Sequence, residues 1–330
     1  MGKRIIIALS ILAVFSCKEE TPNKPIADKT PVKFERVITP QFNQDSAYQF
    51  IQNQVDFGPR VPNTPAHSAC AKWLDAKLQS YGATTIVQEA VVTAFNGDKL
   101  NMKNIIAQFS PEKAQRLLLF AHWDTRPVAD KDTKDTSKPI DGANDGGSGV
   151  GVLLEMARQF SIKKPNFGVD IILFDAEDYG TFIGQESNIA EDWCLGSQYW
   201  GKNPHVVNYR PKYGILLDMV GEKNAQFRKE YYSNYYAKNV VEKVWNKAQR
   251  LGYSNYFLQN TGERPQPITD DHYYVNTLAN IPSIDIISHF PNGKTFGDYH
   301  HTHADNMDII DKNSLKAVGQ TVMEVVYQEK

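Results

Sequence analysis

The sequence predicts an α/β fold, a three-layer sandwich in which a twisted, mostly parallel (mixed) central sheet is flanked by helices. Two patterns indicate this class. Apolar runs of strand length alternate with segments whose apolar residues recur at helical spacing, as in sheets built from βαβ units. The run Val169–Phe174 is almost continuously apolar, which is typical of a strand buried on both faces.

The predicted elements follow in order from about residue 41. The first helix places Tyr48, Ile51 and Val55 on one face and stops at Gly58 and Pro59. Helices are predicted over 45–57, 70–82, 148–160, 239–252 and 313–328. Strands are predicted over 104–109, 116–124, 169–174, 213–221 and 283–288. Long loops, which are often functional, are predicted over 128–141, 180–212 and 255–275.

The N-terminus has the pattern of an export signal. Lys3 and Arg4 precede an apolar stretch, Ile5–Phe15, that is too short to span a bilayer and is followed closely by Cys17. This resembles a bacterial lipoprotein cleavage site with Cys17 as the lipidated residue; plain secretion with cleavage nearby is the alternative. We predict a signal segment over 1–17, a Pro- and charge-rich flexible tether over 18–40, and a single α/β domain over 41–330.

Composition narrows the range of partners. The 330 residues carry a formal net charge of −2, so no basic footprint for nucleic acid is visible. No other apolar run approaches the length of a membrane span, so membrane attachment is expected only through Cys17, at the cell envelope (periplasm or outer membrane). Cys70 and Cys194 could pair in an oxidising compartment, but two cysteines do not make a disulfide scaffold. The oligomeric state is left open.

Side chains of metal-ligand type follow several predicted strands. His122 and Asp124 follow one strand, and Asp145 precedes a helix. A second strand is followed by Asp175, Glu177 and Asp178, and a third by Asp218. Near the C-terminus lie three histidines, His300, His301 and His303. In open α/β sheets, ligands bind beyond the carboxyl ends of the strands. Each residue alone has a plainer interpretation, such as a capping turn or a solvated histidine. The Gly-rich segment 141–149 lacks the Gly-Lys-Ser/Thr ending of a phosphate-binding P-loop.

Taken together, these residue types indicate a metal. Histidine nitrogen and carboxylate oxygen suit zinc in a tetrahedral site with one open position. A divalent cation would also offset the repulsion among carboxylates crowded at the end of a buried strand. One carboxylate of the pair Glu177–Asp178 could then bind the metal while the other acts as general base. Asp124 lies two residues after His122, where it could accept the imidazole N–H.

The motifs AHWDTRP, DGANDGGSG, FDAED, LLDMVG, TDDH and HHTHADN occur in the order seen in the zinc-dependent aminopeptidase-like superfamily. Within it, residues 45–328 resemble the glutaminyl cyclases of the bacterial cell-envelope type, and FGPRVPNTPAH resembles their N-terminal segment. The resemblance implies the zinc ligands Asp145, Asp178 and His301 and the general base Glu177. It also implies that Asp218 pairs with an aspartate of TDDH, Asp271, with Asp270 as the alternative.

The resemblance further implies the substrate and the pocket. The expected reaction converts the N-terminal Gln of a peptide or exported protein to pyroglutamate, with Glu177 moving a proton from the α-amine to the leaving ammonia. Trp193 is expected to form a wall of a dry substrate pocket, with a place in the core as the alternative. Tyr273, Tyr274 and Phe296 are further candidates for the walls, although packing is the favoured role for them. Animal-type cyclases have Glu-Glu at Glu177–Asp178, and they have Trp at His300, which puts the shape of this pocket in question.

Two other function classes remain open from the sequence. The first is a two-zinc aminopeptidase on the same scaffold, with His122 and Asp218 holding a second ion, Asp145 bridging, and Glu177 activating a water. The second is a non-catalytic, lipid-anchored binding module. The complete set of expected ligands and the base argues against the module, and a metal analysis separates it from an enzyme.

Overall fold

The computed structural model describes residues 2, 38–186, 191–259, 262, 264–290 and 295–330. The chain divides into two units, Met1–Phe34 and Glu35–Lys330, and only Gly2 is described in the first. Cys17, the rest of the predicted signal segment and residues 18–37 of the predicted tether lie outside the described residues. The domain boundaries and the lipidation of Cys17 therefore stay predictions. No helix among the described residues is long and apolar enough to cross a bilayer.

The described residues form a six-stranded mixed sheet in the order β1-β2-β4-β3-β5-β6. The strands are β1 Thr84–Thr93, β2 Lys99–Phe109, β3 Arg116–His122, β4 Gly168–Phe174, β5 Gly214–Asp218 and β6 Ser283–Ile287. Strands β4, β3, β5 and β6 run parallel, whereas β1 and β2 form an antiparallel pair joined to the edge of β4. The predicted mostly parallel, mixed sheet is confirmed.

Helices cover both faces of the sheet, which confirms the three-layer class. They are α1 Gln44–Val55, α2 Pro65–Ser80, α3 Gly147–Ile162, α4 Leu195–Lys202, α5 Tyr231–Arg250, α6 Asp271–Thr277 and α7 Lys312–Tyr327. Strand β3 shows the layering: Leu117 and Leu119 join the core under α1, α2, α3, α5 and α7, and Leu118 and Phe120 join the core under α4 and α6. Alternate side chains of a strand point to opposite faces, so one strand serves both cores.

The structure corrects several predicted boundaries. Strand β1 was not predicted, because at the sheet edge all of its residues are exposed or half-buried and no buried apolar run marks it. Helix α2 begins five residues before the predicted start, where the Thr64 side chain accepts the His67 N–H. The loop predictions are wrong over 195–202, where α4 lies, and from residue 271, where α6 begins. Helix α5 begins at Tyr231 rather than 239, capped by the Glu230 carboxylate.

Candidate active site

The carboxyl ends of the parallel strands open into a cavity of about 370 Å³. Strands β4 and β5 end there, at Phe174 and Asp218, and the first turn of α3 lies beside them. The cavity is lined by most of the residues predicted from the sequence, namely Asp145, Glu177, Asp178, Trp193, Asp218, His300 and His301. The strand-end argument therefore located the cavity correctly.

The three predicted zinc ligands lie together on one wall. His301 Nε2 is 3.2 Å from Asp178 Oδ1 and 3.7 Å from Asp145 Oδ2. All three residues are buried, and within the part of the chain that the structure describes, Asp145 Oδ2 and Asp178 Oδ2 accept no hydrogen bond. Buried carboxylate oxygens are normally paired, so two such oxygens beside an imidazole nitrogen have the chemistry of a divalent-cation site.

Asp145 is held in place by the backbone around it. The Asp305 carboxylate accepts the N–H groups of Asn144, at 2.7 Å, and Asp145, at 3.0 Å. Gly146 follows with φ of 58°, and a Cβ there would lie 2.8 Å from the His122 ring, so only glycine fits. Burial would raise the pKa of Asp145, but the hydrogen bond to His122 and nearby charges lower it. Asp145 is therefore an anion aimed at the cavity.

The loop after β4 carries the predicted base and one predicted ligand. Asp124 accepts the backbone N–H groups of Glu177, at 3.1 Å, and Asp178, at 3.2 Å, and lies 3.4 Å from His122 Nδ1. Asp124 therefore lies beside His122 as predicted, but His122 Nδ1 makes no hydrogen bond within the described part of the chain. The two backbone contacts show that Asp124 fixes the loop. Burial, with smaller contributions from neighbouring carboxylates, raises the pKa of Glu177 well above its usual value, as suits a general base.

A second group of carboxylates lies around His122. His122 Nε2 is 3.1 Å from Asp145 Oδ1 and 3.2 Å from Asp218 Oδ1. Burial, reinforced by the charge of Asp270, raises the pKa of Asp218 to about 7, although the hydrogen bond from His122 opposes the shift. These three side chains are close enough to hold an ion, as the two-zinc alternative requires.

The structure favours Asp270 over Asp271 as the partner of Asp218. Asp270 lines the cavity and caps the start of α6 by accepting the Asp271 N–H. Asp271 is completely buried and lies outside the cavity lining. The choice of Asp271 from the motif TDDH is therefore corrected. The two residues are adjacent in sequence, and only the turn into α6 decides which carboxylate faces the cavity.

Trp193 forms a wall of the cavity, as expected. Its indole stacks on the His301 ring at a centroid distance of 5.9 Å and an interplanar angle of 9°. The Arg126 guanidinium lies 4.8 Å from the indole centroid. A Cβ at Gly180 would lie 2.0 Å from the indole, so that glycine makes room for the ring. Phe296, a further candidate for a wall, also lines the cavity.

His300 lies against His301, the predicted ligand, and contacts the Lys131 side chain. Lys131 Nζ donates to His300 Nδ1 at 2.5 Å, and the His300 ring stacks on His301 at 3.7 Å between centroids. His300 Nε2 is 3.8 Å from Asp145 Oδ2. Since Nδ1 is an acceptor, neutral His300 carries its proton on Nε2 and is a donor there. This supports His301, rather than His300, as the ligand.

Comparison with known proteins identifies the family. Residues 104–326 match the model of "Peptidase family M28". The chain belongs to peptidase family M28. The structure of a Zn-dependent exopeptidase from Parabacteroides distasonis is 54% identical, with a TM-score of 0.86, and the match covers 88% of this chain and 100% of that one.

The similar structures include glutaminyl cyclases. The enzyme from Bacteroides thetaiotaomicron, bound to N-acetylhistamine, is 52% identical with a TM-score of 0.86, covering 89% of this chain and 100% of that one. The Tannerella forsythia enzyme is 54% identical with a TM-score of 0.85, covering 88% and 100%. These structures confirm the resemblance to glutaminyl cyclases. The chain spans about half the length of the curated relatives it matches; it covers 55% of a Bacillus subtilis aminopeptidase at 25% identity.

The sequence analysis did not identify the residues that hold the predicted ligands in position. Arg126 is buried, donates to the two Asp130 carboxylate oxygens from Nε and Nη2, and donates to the Asp178 carbonyl oxygen from Nη1 at 3.1 Å. Asp130 Oδ1 in turn lies 3.6 Å from His301 Nδ1. Arg126 and Asp305 belong to the recognised motifs AHWDTRP and HHTHADN, so the motifs contained the signal without revealing the contacts.

Proposed function

We propose that this chain is a zinc-dependent glutaminyl-peptide cyclotransferase, which converts the N-terminal Gln of peptides and proteins to pyroglutamate and releases ammonia. The observation that carries the proposal is the cavity in which Glu177 lies beside Asp145, Asp178 and His301, with Trp193 as an apolar wall. The chain is 52% identical to one glutaminyl cyclase over 89% of its length and 54% identical to another over 88%. The zinc and the substrate are part of the proposal.

The residues present fit a zinc ion. Asp145, Asp178 and His301 would hold it, since two of their buried oxygens accept no hydrogen bond from the described residues and His301 Nε2 faces both carboxylates. When bound, the ion supplies Lewis acidity that polarises the γ-amide carbonyl of the substrate. We propose one ion, because His122 Nε2 already lies within hydrogen-bond distance of both carboxylates that a second ion would use.

Glu177 is placed to move the proton. Its carboxylate takes a proton from the substrate α-amine, the α-nitrogen forms a bond to the δ-carbon, and the δ-carbon releases the amide nitrogen. Glu177 then returns the proton to that nitrogen, which leaves as ammonia. A base with a raised pKa can both accept and return a proton near neutral pH.

The remaining groups hold the substrate and exclude water. Asp218 and Asp270 face the cavity and can accept hydrogen bonds from the N–H groups of the substrate amine and amide. Trp193, Ile268, Ile287 and Phe296 supply apolar walls. The amine and the amide belong to one molecule, so an apolar pocket that holds both favours ring closure over attack by water.

The test offers two matched peptides, one beginning with Gln and one with Leu, to the protein and reads the products by mass spectrometry. The cyclase proposal expects the Gln peptide to lose the mass of one ammonia with its length intact, while the Leu peptide is unchanged. Release of free Leu without cyclisation would overturn it.

A two-zinc aminopeptidase is the second candidate, favoured by the closeness of His122, Asp145 and Asp218. It requires a second ion at these side chains and a water activated by Glu177. Metal analysis separates the two, because the aminopeptidase expects two zinc ions per chain, with one lost in His122→Ala. Absence of stoichiometric metal would instead favour the binding module.

We propose further that the protein is exported and anchored at the cell envelope through lipid on Cys17. The Lys-Arg start, the short apolar stretch and the cysteine that follows it closely support this proposal. Its clients would then be other exported proteins that begin with Gln after their signals are cleaved. Metabolic lipid labelling that is lost in Cys17→Ser tests the anchor, and unchanged envelope N-termini after gene deletion would contradict the client class.

A further inference from the structure

We propose that Cys194 is a positioning residue for the base Glu177: its thiol holds one carboxylate oxygen of Glu177 so that the other is presented to the substrate. The inference rests on the proposed function, because it assumes that Glu177 moves the proton. It concerns a side chain that does not line the cavity and touches the reaction only through Glu177.

The contact is direct and enclosed. Cys194 Sγ donates to Glu177 Oε1 at 3.0 Å, and the cysteine has no exposed surface. Burial, together with the charge of Glu177, raises the pKa of the thiol well above its usual value, so the thiol keeps its proton and remains a donor.

The backbone fixes the distance between the two residues. The Cys194 N–H donates to the Glu177 carbonyl oxygen at 3.0 Å, and the Leu195 N–H donates to the Ala176 carbonyl oxygen at 3.0 Å. Cys194 itself has φ of 58°, a left-handed conformation that is uncommon for residues other than glycine. Cys194 therefore combines a strained backbone conformation with a donor side chain at the position that contacts Glu177.

The location of the contact gives it a consequence for the reaction. A carboxylate on two rotatable carbons can turn either oxygen toward the cavity, and each turn away from the productive geometry slows proton transfer. A hydrogen bond to Oε1 leaves the second oxygen to take and return the substrate proton. Replacing the thiol should therefore lower kcat and leave KM, which depends on the cavity walls, nearly unchanged.

The experiment compares Cys194→Ala, Cys194→Ser and Cys70→Ala in the full chain. Cys70 is the matched control, since it is equally buried but lies on α2 and does not line the cavity. Ala and Ser retain the Cβ, so backbone strain at residue 194 is the same in both variants. We expect Cys194→Ala to lower kcat about tenfold, which is the effect of one hydrogen bond to a charged group, with KM within about twofold. Cys194→Ser should recover kcat to within about threefold.

A second readout does not depend on activity. The infrared difference between Cys70→Ala and the double variant Cys70→Ala/Cys194→Ala isolates the S–H stretching band of Cys194. This band should move to higher frequency when Glu177→Ala removes the acceptor. Equal kcat in Cys194→Ala and Cys70→Ala, no recovery in Cys194→Ser, or an unmoved S–H band would each overturn the inference. A wild-type chain that does not cyclise Gln peptides would instead refute the proposed function, and the infrared band would still test the contact.

Discussion

The two ends of the central sheet hold buried acids in opposite ways. At the amino ends of the strands, Arg116 donates to both oxygens of Asp170 at 2.7 and 2.5 Å, and the Tyr209 hydroxyl donates to Asp170 as well. At the carboxyl ends, Asp145 and Asp178 are buried, and one carboxylate oxygen of each accepts no hydrogen bond from the described residues. The amino end pairs its acids, whereas the carboxyl end leaves them free for an ion and a substrate.

The pKa values of the two ends differ accordingly. At the amino end, burial would raise the pKa of Glu329, but hydrogen bonds from Lys212, Lys243 and Tyr213 lower it. At the carboxyl end, burial dominates and raises the pKa of both Glu177 and Asp178 well above their usual values. Paired acids stabilise the fold, while unpaired ones store repulsion that a bound cation relieves. We therefore expect changes at the two ends to separate activity from stability.

Removal of the metal should have the largest effect. Chelation is expected to abolish cyclisation and to lower the thermal midpoint by about 5 °C or more, since an ion that binds only the folded state stabilises it. Activity and calorimetry before and after zinc is restored measure both effects. Full activity in protein shown by metal analysis to lack zinc would contradict the proposed role of the carboxyl end.

Glu177→Gln should separate activity from stability. We expect kcat to fall by about 10²- to 10⁴-fold, the usual contribution of a general base, because the amide cannot take the proton. Stability should stay the same or increase, since a buried group that resists ionisation is replaced by a neutral one. Steady-state kinetics and denaturant unfolding test the pair of expectations, and a variant that loses stability and keeps its activity would reverse the comparison.

Asp170→Ala should do the opposite. Removing one partner of a buried ion pair leaves Arg116 uncompensated, so the free energy of unfolding should fall by about 3 kcal/mol while kcat is unchanged. The control is Asp45→Ala, which breaks the exposed pair with Lys312 and should cost less than about 1 kcal/mol. Equal losses in the two variants, measured by urea unfolding, would show that burial does not strengthen the Arg116–Asp170 pair.

The smallest effect is expected from pH at Glu329. Its pKa is lower in the folded chain than the ordinary value of 4.5, so the folded state binds fewer protons there than the unfolded state. The stabilisation is therefore present above about pH 4.5 and is lost as the pH falls through the folded pKa. The slope of unfolding free energy against pH below this value should be shallower in Glu329→Gln. Identical slopes would mean that the lysine contacts do not lower the pKa.

Several parts of the fold and the site could be predicted from local sequence. Val169–Phe174 is recognisable as a buried strand because a strand covered on both faces needs apolar side chains at nearly every position. The carboxyl ends of parallel strands lie on the same side of a sheet. This is why the sequence could place four acids together there, namely Asp145, Glu177, Asp178 and Asp218. Strand β1 could not be predicted in this way, since an edge strand lacks the buried run that marks a central one.

The sequence by itself determined the fold class, the family, and the location of the acids at the carboxyl ends of the strands. These follow from periodicity and from motifs, which are local properties of the chain. The tertiary structure alone decided that Asp270 rather than Asp271 faces the cavity. It also decided that Lys131 donates a hydrogen bond to His300 and that Cys194 donates one to Glu177. Such contacts join residues up to 169 positions apart. They depend on the packing of loops and helix ends, which no periodic pattern in the sequence encodes.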